Sequence, residues 1–242
     1  MKIVKNILLI ICGFCMHLSI LIASISFVAT SRSFFEYEYK KGNQAELIGM
    51  SEEGLMDATN ALIDYVLNNR EDIIVEAEVN GNVREVFDER ETLHMVDVKN
   101  LYWKAWNIQT TAYYISGAIA IFFLFKYKKE FYSNIMKAYN YGLFIILGLV
   151  IAISIYALID FNSFWLNFHY VFFDNDLFLL DPNVSIMINM FPETFFFDMV
   201  FGIVLYHILS LLIVYLFIRF IFKRPSYDQC STIWTRNTTK YR

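Results

Sequence analysis

The stretch ILLIICGFCMHLSILIASISFVA, residues 7–29, decides the fold. At about 1.5 Å of rise per residue, a helix of this length crosses a hydrocarbon core of roughly 30 Å. A secretory signal has an apolar core of only about 7 to 15 residues, so we interpret the run as a retained membrane anchor. The whole chain agrees, because 57% of its 242 residues are hydrophobic, more than in an ordinary soluble domain.

Three further apolar runs are long enough to cross a membrane. We therefore predict a membrane all-α bundle of four transmembrane helices with a small extracytoplasmic α+β cap that contains a β-hairpin. The predicted segments, in chain order, are a first crossing at 1–29, the cap at 30–109, a second crossing at 110–126, a cytoplasmic loop at 127–140, a third crossing at 141–159, an extracytoplasmic interfacial segment at 160–199, a fourth crossing at 200–222 and a cytoplasmic tail at 223–242.

Lysine and arginine indicate the orientation, because basic residues next to a crossing stay in the cytoplasm. Such residues precede the first run at Lys2 and Lys5, follow the second from Lys126 onward, and close the fourth from Arg219 to Arg224. Both termini are therefore predicted to be cytoplasmic. The two segments that then face outward are acidic.

Cys12 and Cys15 form the sequence CGFC, a spacing typical of thioredoxin-like sites and metal pairs. Both fall inside the first crossing, where a thiolate is poorly solvated, and no strand precedes them. We interpret them as small apolar residues at helix-packing positions. Cys230 lies on the predicted cytoplasmic tail.

The first outer segment predicts a helix, a hairpin and a second helix. Apolar residues recur at helical spacing within 49–69, after Ser51 as N-cap. In IIVEAEVNGNVREVF, residues 73–87, the pair Asn80-Gly81 separates two runs rich in valine and isoleucine, a strong hairpin signal. Asp88, with Glu91 three residues later, has the form of a capping box that opens the next helix.

This second helix carries ERETLHMVDVK, residues 89–99, with His94 and Asp97 on one face. If it continued unbroken through the second crossing it would be far longer than the hydrocarbon thickness, so it either stands high in solvent or bends. The polar and aromatic interval 100–109 is the predicted bend. A bend there would lay His94 at the outer membrane surface.

The second outer segment, FNSFWLNFHYVFFDNDLFLLDPNVSIMINMFPETFFFD, is too apolar for a solvated loop and too acidic to cross a membrane. Pro182 and Pro192 interrupt it. We predict short helices that lie in the membrane interface, with His169 among aromatic residues and Asp174 close behind it.

The chain has four histidines, and two of them are candidates for catalysis. His17 and His207 fall inside predicted crossings, where we interpret them as neutral packing residues. His94 and His169 are predicted at the same depth on the outer face, where a pair can supply a general base and a general acid. Asp97, one helical turn from His94, can orient that ring or raise its basicity.

A metal site is the alternative for the same region, with His94, Asp97, His169 and Asp174 as ligands. No H-x-x-x-H or H-E-x-x-H cluster is present, so we expect no metal and no cofactor, and interpret Asp97 and Asp174 as supporting residues. The sequence also lacks a G-x-S-x-G elbow, a glycine-rich phosphate loop and a basic patch, which excludes nucleic acid as an expected partner.

Two motifs give the chain a resemblance to a known family. HMVDVK, residues 94–99, precedes the second crossing, and FHYVFFDNDLFLLDP, residues 168–182, leads to FPETFFFD before the fourth. In this arrangement the chain resembles the bacterial lipoprotein intramolecular transacylases, integral membrane proteins mainly of Gram-positive bacteria. Phe178 stands where relatives often have tryptophan, a departure that we expect to affect only local packing.

The resemblance implies an acyl transfer within a lipoprotein. The acyl chain on the sn-2 hydroxyl of the diacylglyceryl-cysteine moves to the α-amino group of that cysteine, which gives the lyso form. Diacylglyceryl-modified lipoproteins and membrane lipid are the implied partners, the multi-pass cell membrane is the implied location, and the site is implied at the outer leaflet. His94 and His169 match the histidines that the family uses in catalysis.

Two other functions fit the sequence. A membrane lipid or lipoprotein hydrolase would use the same base to activate water. A non-enzymatic membrane partner or sensor would use the histidines as contacts that respond to pH. The product formed from a lipoprotein distinguishes the three functions.

Overall fold

The structure is a computed structural model that describes residues 2–222, so the predicted tail with Lys223, Arg224 and Cys230 lies outside the described residues. In chain order the elements are α1 (Lys2–Ala29), α2 (Arg32–Gly42), α3 (Gln44–Ile48), α4 (Glu52–Val66), β1 (Glu76–Val79), β2 (Asn82–Glu85), α5 (Glu89–Lys126), a 3-10 turn (Lys128–Glu130), α6 (Phe131–Ile159), α7 (Phe161–Phe172), α8 (Ile186–Met190) and α9 (Glu193–Phe222).

The bundle is organised around α1, which packs against α5, α6 and α9. Among the described residues, these four helices are long and apolar enough to cross a membrane. Many large apolar side chains on α6 and α9 are exposed, as expected where lipid covers a helix. The prediction of four transmembrane helices with a small α+β cap is confirmed.

Helices α1 and α5 run antiparallel and meet at regular intervals. Three polar contacts recur seven residues apart on both helices: Ser26 Oγ to Tyr102 Oη at 2.9 Å, Ser19 Oγ to the Gln109 carbonyl oxygen at 3.2 Å, and Cys12 Sγ to the Ser116 carbonyl oxygen at 3.6 Å. A seven-residue repeat is the signature of helices that coil around each other. Cys12 and Cys15 are free, buried thiols in α1, in agreement with the packing interpretation.

Helices α1 and α6 approach closely at two glycines. A Cβ atom added to Gly13 would overlap the Ala138 carbonyl oxygen, and one added to Gly142 would overlap the Gly13 carbonyl oxygen and the ring of His17. Small residues at such a crossing let two backbones come into contact. His17 is fully buried here, donates from Nδ1 to the Gly13 carbonyl oxygen at 2.9 Å, and packs on Tyr139.

The cap contains the predicted helix and hairpin. Ser51 begins α4, and its Oγ accepts a hydrogen bond from the Gly54 amide at 3.0 Å. Strands β1 and β2 pair antiparallel across Asn80 and Gly81, which both have positive φ. A tight hairpin turn of type I′ requires positive φ at both central positions, so the Asn-Gly signal is confirmed.

Helices α2 and α3 are additional to the single helix that the sequence predicts before the hairpin. The buried residues of α2 are Phe35, Glu38 and Tyr39. Phe35 and Tyr39 pack on Phe195 of α9, with ring centroids 5.2 and 6.2 Å apart. A short helix with so few apolar anchors, whose partner is distant in sequence, gives no clear periodic signal.

Helix α5 begins with the predicted capping box. The Glu91 amide donates to Asp88 Oδ1 at 2.8 Å, and the Asp88 amide donates to Glu91 Oε2 at 2.7 Å. The helix then continues for 38 residues without interruption, a length of about 57 Å. The predicted bend at 100–109 does not break it, so the helix stands above the bundle.

The cap supports the raised part of α5. Trp103 Nε1 donates to the Val66 carbonyl oxygen at the end of α4, at 3.0 Å. Tyr102 meets Ser26 near the end of α1, and His94 lies eight residues earlier, about 12 Å beyond that level. The polar and aromatic interval therefore contacts α1 and the cap within a continuous helix.

The second outer segment forms α7 and α8. Helix α7 begins at Asp160, whose side chain accepts a hydrogen bond from the Ser163 amide at 3.0 Å. Helix α8 differs from the predicted interfacial position, because its apolar residues belong to the buried cap core: Ile186, Met187 and Met190. The apolar character of α8 thus reflects packing within the protein, whereas several large apolar side chains of α7 are exposed.

The close approach of α1 and α6 predicts opposite effects for one substitution at two glycines. Gly142→Ala should lower the free energy of unfolding by about 1–3 kcal/mol, because overpacking forces the helices apart. Gly148 has open space around it on the same helix, so Gly148→Ala should stabilise by roughly 0.5–1 kcal/mol through helix propensity. Thermal unfolding of the purified variants in detergent measures both. Equal effects would show that the helices do not meet at Gly142.

Candidate active site

The structure brings His94 and His169 together. His94 lies on the part of α5 above the bundle, and His169 lies on α7. Their ring centroids are 6.1 Å apart, and the two residues are only 8% and 6% exposed. Two helices that are distant in sequence therefore place the two selected histidines in one buried site.

Aromatic rings surround His169 on several sides. Phe178 stacks on the imidazole with centroids 4.6 Å apart and planes at 24°. Trp165 approaches edge-on at 4.5 Å, and Phe168 and Phe173 lie at 5.5 and 5.7 Å. These apolar faces exclude water from the ring.

A backbone carbonyl group fixes the tautomer of His169. Its Nδ1 lies 2.7 Å from the carbonyl oxygen of Trp165, one turn earlier in α7. A carbonyl oxygen only accepts hydrogen bonds, so Nδ1 must carry the hydrogen. In the neutral ring Nε2 then has a free lone pair and is the acceptor. The same contact holds the ring in one orientation.

The polar environment of His94 is sparser. Its ring meets Phe173 at a steep angle, with centroids 5.5 Å apart. Its Nδ1 is buried and has no hydrogen-bond partner within residues 2–222. A buried polar atom without a partner costs about 1–3 kcal/mol, and a catalytic role is one of the reasons for which proteins retain such atoms.

Asp97 and Asp174, the predicted supporting residues, have different positions. Asp97 accepts a hydrogen bond from Asn175 Nδ2 at 2.8 Å, and none links it to His94 in the described part of the chain. Its influence on His94 is therefore electrostatic. Asp174 is exposed beside Asn175 and has no hydrogen bond or ion pair from its side chain to another described residue.

The loop of residues 173–185, which connects α7 to α8, lies along the first turns of α5. Arg90 donates to the Asp176 carbonyl oxygen, and Asn175 donates to Asp97. Positions 90, 94 and 97 share one face of α5, because residues three and four apart are neighbours on a helix. The loop is thus tied to α5 on both sides of His94.

Burial dominates the electrostatics of both histidines, which lie outside the membrane-crossing part of the bundle. Burial lowers the pKa of His94 to about 4, nearby His169 lowers it further, and Asp97 opposes the change. Burial also lowers the pKa of His169, and the hydrogen bond to the Trp165 carbonyl oxygen opposes this change. Both rings are therefore neutral at pH 7, and two adjacent imidazoles resist carrying two protons.

The metal alternative finds no support in the described residues. No group of three or more His, Cys, Asp and Glu side chains there is arranged to hold a metal ion. Asp97 already accepts from Asn175, and Asp174 is exposed. The two histidines alone would fill only two of the four positions that zinc usually has.

The other two histidines belong to the membrane bundle. His17 packs at the contact between α1 and α6. His207 is buried on α9, and its Nδ1 has no partner among residues 2–222. Both lie within the bundle, and their role as packing residues stays a prediction.

Three residues of the site were not selected by the sequence. Trp165 and Phe178 hold His169, and Glu91 joins α5 to the start of α8. Phe178, which stands where relatives often have tryptophan, packs on the His169 imidazole. The four-residue spacing of Trp165 and His169 was a usable signal, whereas the contact of Phe178 forms only when the loop folds back.

These features define a class, namely an integral membrane protein with four crossings, a small α+β cap and a buried histidine pair. The family model of the lipoprotein intramolecular transacylase Lit matches residues 10–196. The chain belongs to this family. No match is found among curated protein sequences.

Solved structures with the same fold include the lipoprotein intramolecular transacylase Lit from Bacillus cereus. One is 20% identical with a TM-score of 0.73, and the match covers 91% of this chain and 96% of that one. A variant with a histidine replaced by arginine is 19% identical, with a TM-score of 0.73 and coverage of 90% and 92%. A variant with a histidine replaced by alanine is 18% identical, with a TM-score of 0.70 and coverage of 91% and 94%.

Proposed function

We propose that this lipoprotein intramolecular transacylase moves the sn-2 acyl chain of a diacylglyceryl-cysteine to the α-amino group of the same cysteine, with His94 and His169 as its catalytic residues. The observation that carries the proposal is the pair itself, two buried imidazoles with centroids 6.1 Å apart in a chain of this family. The substrates are diacylglyceryl-modified lipoproteins presented from the membrane.

The reaction needs a base because its nucleophile is an amine. An α-amino group has a reference pKa of roughly 7.7 to 8.0, so much of it is protonated and inert at neutral pH. Once the neutral amine attacks the ester carbonyl, its nitrogen becomes acidic and must lose a proton. The leaving glyceryl oxygen must gain one.

We assign the base to His169. Its Nδ1–H is held by the Trp165 carbonyl oxygen, which leaves Nε2 as an oriented lone pair. That carbonyl, with the stacked ring of Phe178, also favours the imidazolium that forms when Nε2 takes the proton. His94 then acts as a neutral N–H donor to the oxyanion of the tetrahedral intermediate.

The step balances without an acyl-enzyme. A C–N bond forms between the amine nitrogen and the acyl carbonyl carbon, and the bond between that carbon and the sn-2 glyceryl oxygen breaks. One proton passes from the amine nitrogen through His169 to the glyceryl oxygen. Because the nucleophile and the ester belong to one substrate molecule, the site has only to fold them together.

A lipoprotein hydrolase remains the second candidate, because a histidine base can also activate water. The aromatic rings around His169 favour transfer, since a site that excludes water suppresses hydrolysis. The products differ in mass. Transfer leaves the mass of the lipidated N-terminal peptide unchanged and blocks its α-amine, hydrolysis removes one fatty acid, and a non-enzymatic partner alters neither.

The orientation we propose places both termini in the cytoplasm and the site at the outer leaflet. Lys5, at the start of α1, pairs with Glu130, just before α6, with Nζ and Oε2 2.8 Å apart. The basic ends of two crossings therefore meet at the end of the bundle opposite the cap, and such ends stay cytoplasmic.

A reporter enzyme that is active only outside the cytoplasm should be active when it is fused after Arg70, in the cap. Alkaline phosphatase activity in intact cells measures this, with a fusion after Lys129 as the inactive control. Activity of the Lys129 fusion alone would invert the topology and move the site to the inner leaflet.

The histidine pair should behave as one unit. His94→Ala, His169→Ala and the double variant should each lose at least about 10²-fold in rate, because groups that act together are not additive. Asp97→Asn should lose less, since it removes only a charge near His94. The measurement is lyso-lipoprotein formation in membranes that contain equal amounts of each folded variant.

His17→Ala and His207→Ala are the matched controls, and their rates should stay far closer to that of the parent. Multiplicative losses in the double variant would indicate two independent functions. Near-parental turnover by either single variant of the pair would refute the mechanism.

The fall of kcat/KM at acid pH should reflect the pKa of the substrate's α-amino group and not the pKa of a histidine. Because burial lowers the pKa of both histidines from the ordinary value, with that of His94 at about 4, the substrate amine takes up its proton before either ring does as the pH falls below 8. Over this range the rate should fall toward tenfold per pH unit below the pKa of the amine, near 7.7 to 8.0. A fall centred instead at about 6.5, the ordinary histidine value, would contradict the neutral pair.

A further inference from the structure

Glu91 is a buried carboxylate next to the histidine pair that takes no direct part in the proposed chemistry. It is 1% exposed. Its Oε2 accepts from the Asp88 amide at 2.7 Å, and its Oε1 accepts from Ser185 Oγ at 2.6 Å and from the Met187 amide at 2.8 Å. Three donors therefore surround one carboxylate.

The capping of α5 does not require this arrangement. A capping box needs only the reciprocal bonds between Asp88 and Glu91, and an exposed glutamate can make them. Removal of a carboxylate from water is expensive unless its oxygens find donors inside the protein. The bonds to Ser185 and Met187 supply such donors, and they come from a different part of the chain.

The position of Glu91 on α5 connects it to His94. The two residues are three apart and share a face of the helix. Glu91 therefore fixes, against Ser185 and Met187, the same helical turn that sets the position of the His94 ring.

The opposite end of the 173–185 loop is fixed to His169. The Phe173 amide donates to the His169 carbonyl oxygen at 2.8 Å, and Phe178 stacks on the His169 ring. The loop thus runs from His169 to the residues that Glu91 holds. The contact at Glu91 therefore joins α5, which carries His94, to the 173–185 loop, which packs on His169.

We propose that Glu91 is a positioning residue that sets the separation of His94 and His169 through its bonds to Ser185 and Met187. It touches neither the substrate nor the reacting atoms. The role rests on the proposed function of the two histidines. A displacement of only about 1 Å in such a pair can lower the rate by about 10²-fold.

The test is Glu91→Gln, with Glu89→Gln as the matched control in the same helical turn, where Glu89 is exposed. The glutamine amide can keep its oxygen toward Ser185 and Met187, but its NH₂ group then meets the Asp88 amide, and one donor loses its acceptor. We expect kcat to fall by at least about tenfold, with KM changed less than about twofold, because the displacement affects the reacting pair and not substrate binding. Glu89→Gln should match the parent.

A double-mutant cycle separates positioning from a merely structural role. If Glu91 acts through His94, then Glu91→Gln in the His94→Ala background should lower the residual rate by less than about twofold. A full further loss in that background would overturn the proposal. So would parental kcat in Glu91→Gln alone.

A second variant covers the case in which Glu91→Gln does not fold. Ser185→Ala removes one donor and leaves the carboxylate and the capping box intact, so it should lower kcat in the same direction by a smaller factor. Parental kcat in a folded Ser185→Ala variant would then overturn the proposal. If His94→Ala itself keeps the parental rate, the proposed function fails, whereas loss in His94→Ala with none in Glu91→Gln refutes only the positioning role.

Discussion

The unbroken hydrogen-bond ladder of α5 is the constraint on which the rest of the structure depends. One helix belongs both to the bundle and to the site, so the position of His94 follows directly from how α5 packs on α1. The position of His169 also depends on α1, because α6 packs on α1 at Gly13 and Gly142 and leads into α7, which carries His169. The two rings are therefore carried by helices, α5 directly and α7 through its junction with α6, which position side chains more precisely than a flexible loop would.

The aromatic surroundings of the pair decide its chemistry as much as the histidines do. A hydrated imidazole would be partly protonated at neutral pH, whereas burial keeps both rings in the neutral form. A neutral ring can accept a proton or donate one through its N–H group, and the Trp165 carbonyl assigns the accepting atom of His169 to Nε2. In the proposed mechanism the pair divides the two tasks, with His169 as base and His94 as N–H donor.

The sequence predicted those parts of the structure whose signals are local. The Asn80-Gly81 turn, the Ser51 cap and the capping box of Asp88 with Glu91 each depend on a few adjacent residues, and all are confirmed. Parts that depend on distant partners were missed. Helix α2 needs Phe195, α8 needs the cap core, and the stacking of Phe178 needs the loop to fold back over α7. Helix α5 also continues through the interval where the sequence predicted a bend, and there α1 and the cap contact residues that the sequence alone would leave unpaired.

An intramolecular transfer explains why so little of the site is charged. The proposed substrate carries its own nucleophile and its own ester, so the barrier falls chiefly through orientation, which can contribute about 7–11 kcal/mol when the reacting groups are held in contact. Strong electrostatic activation is then unnecessary, and apolar walls that bind acyl chains and exclude water are an advantage. The fully buried carboxylate beside the pair, that of Glu91, accepts hydrogen bonds from the protein's own amides and a hydroxyl group. These hydrogen bonds join α5 to the start of α8, and in the proposed positioning role they serve a catalyst whose main contribution is geometry.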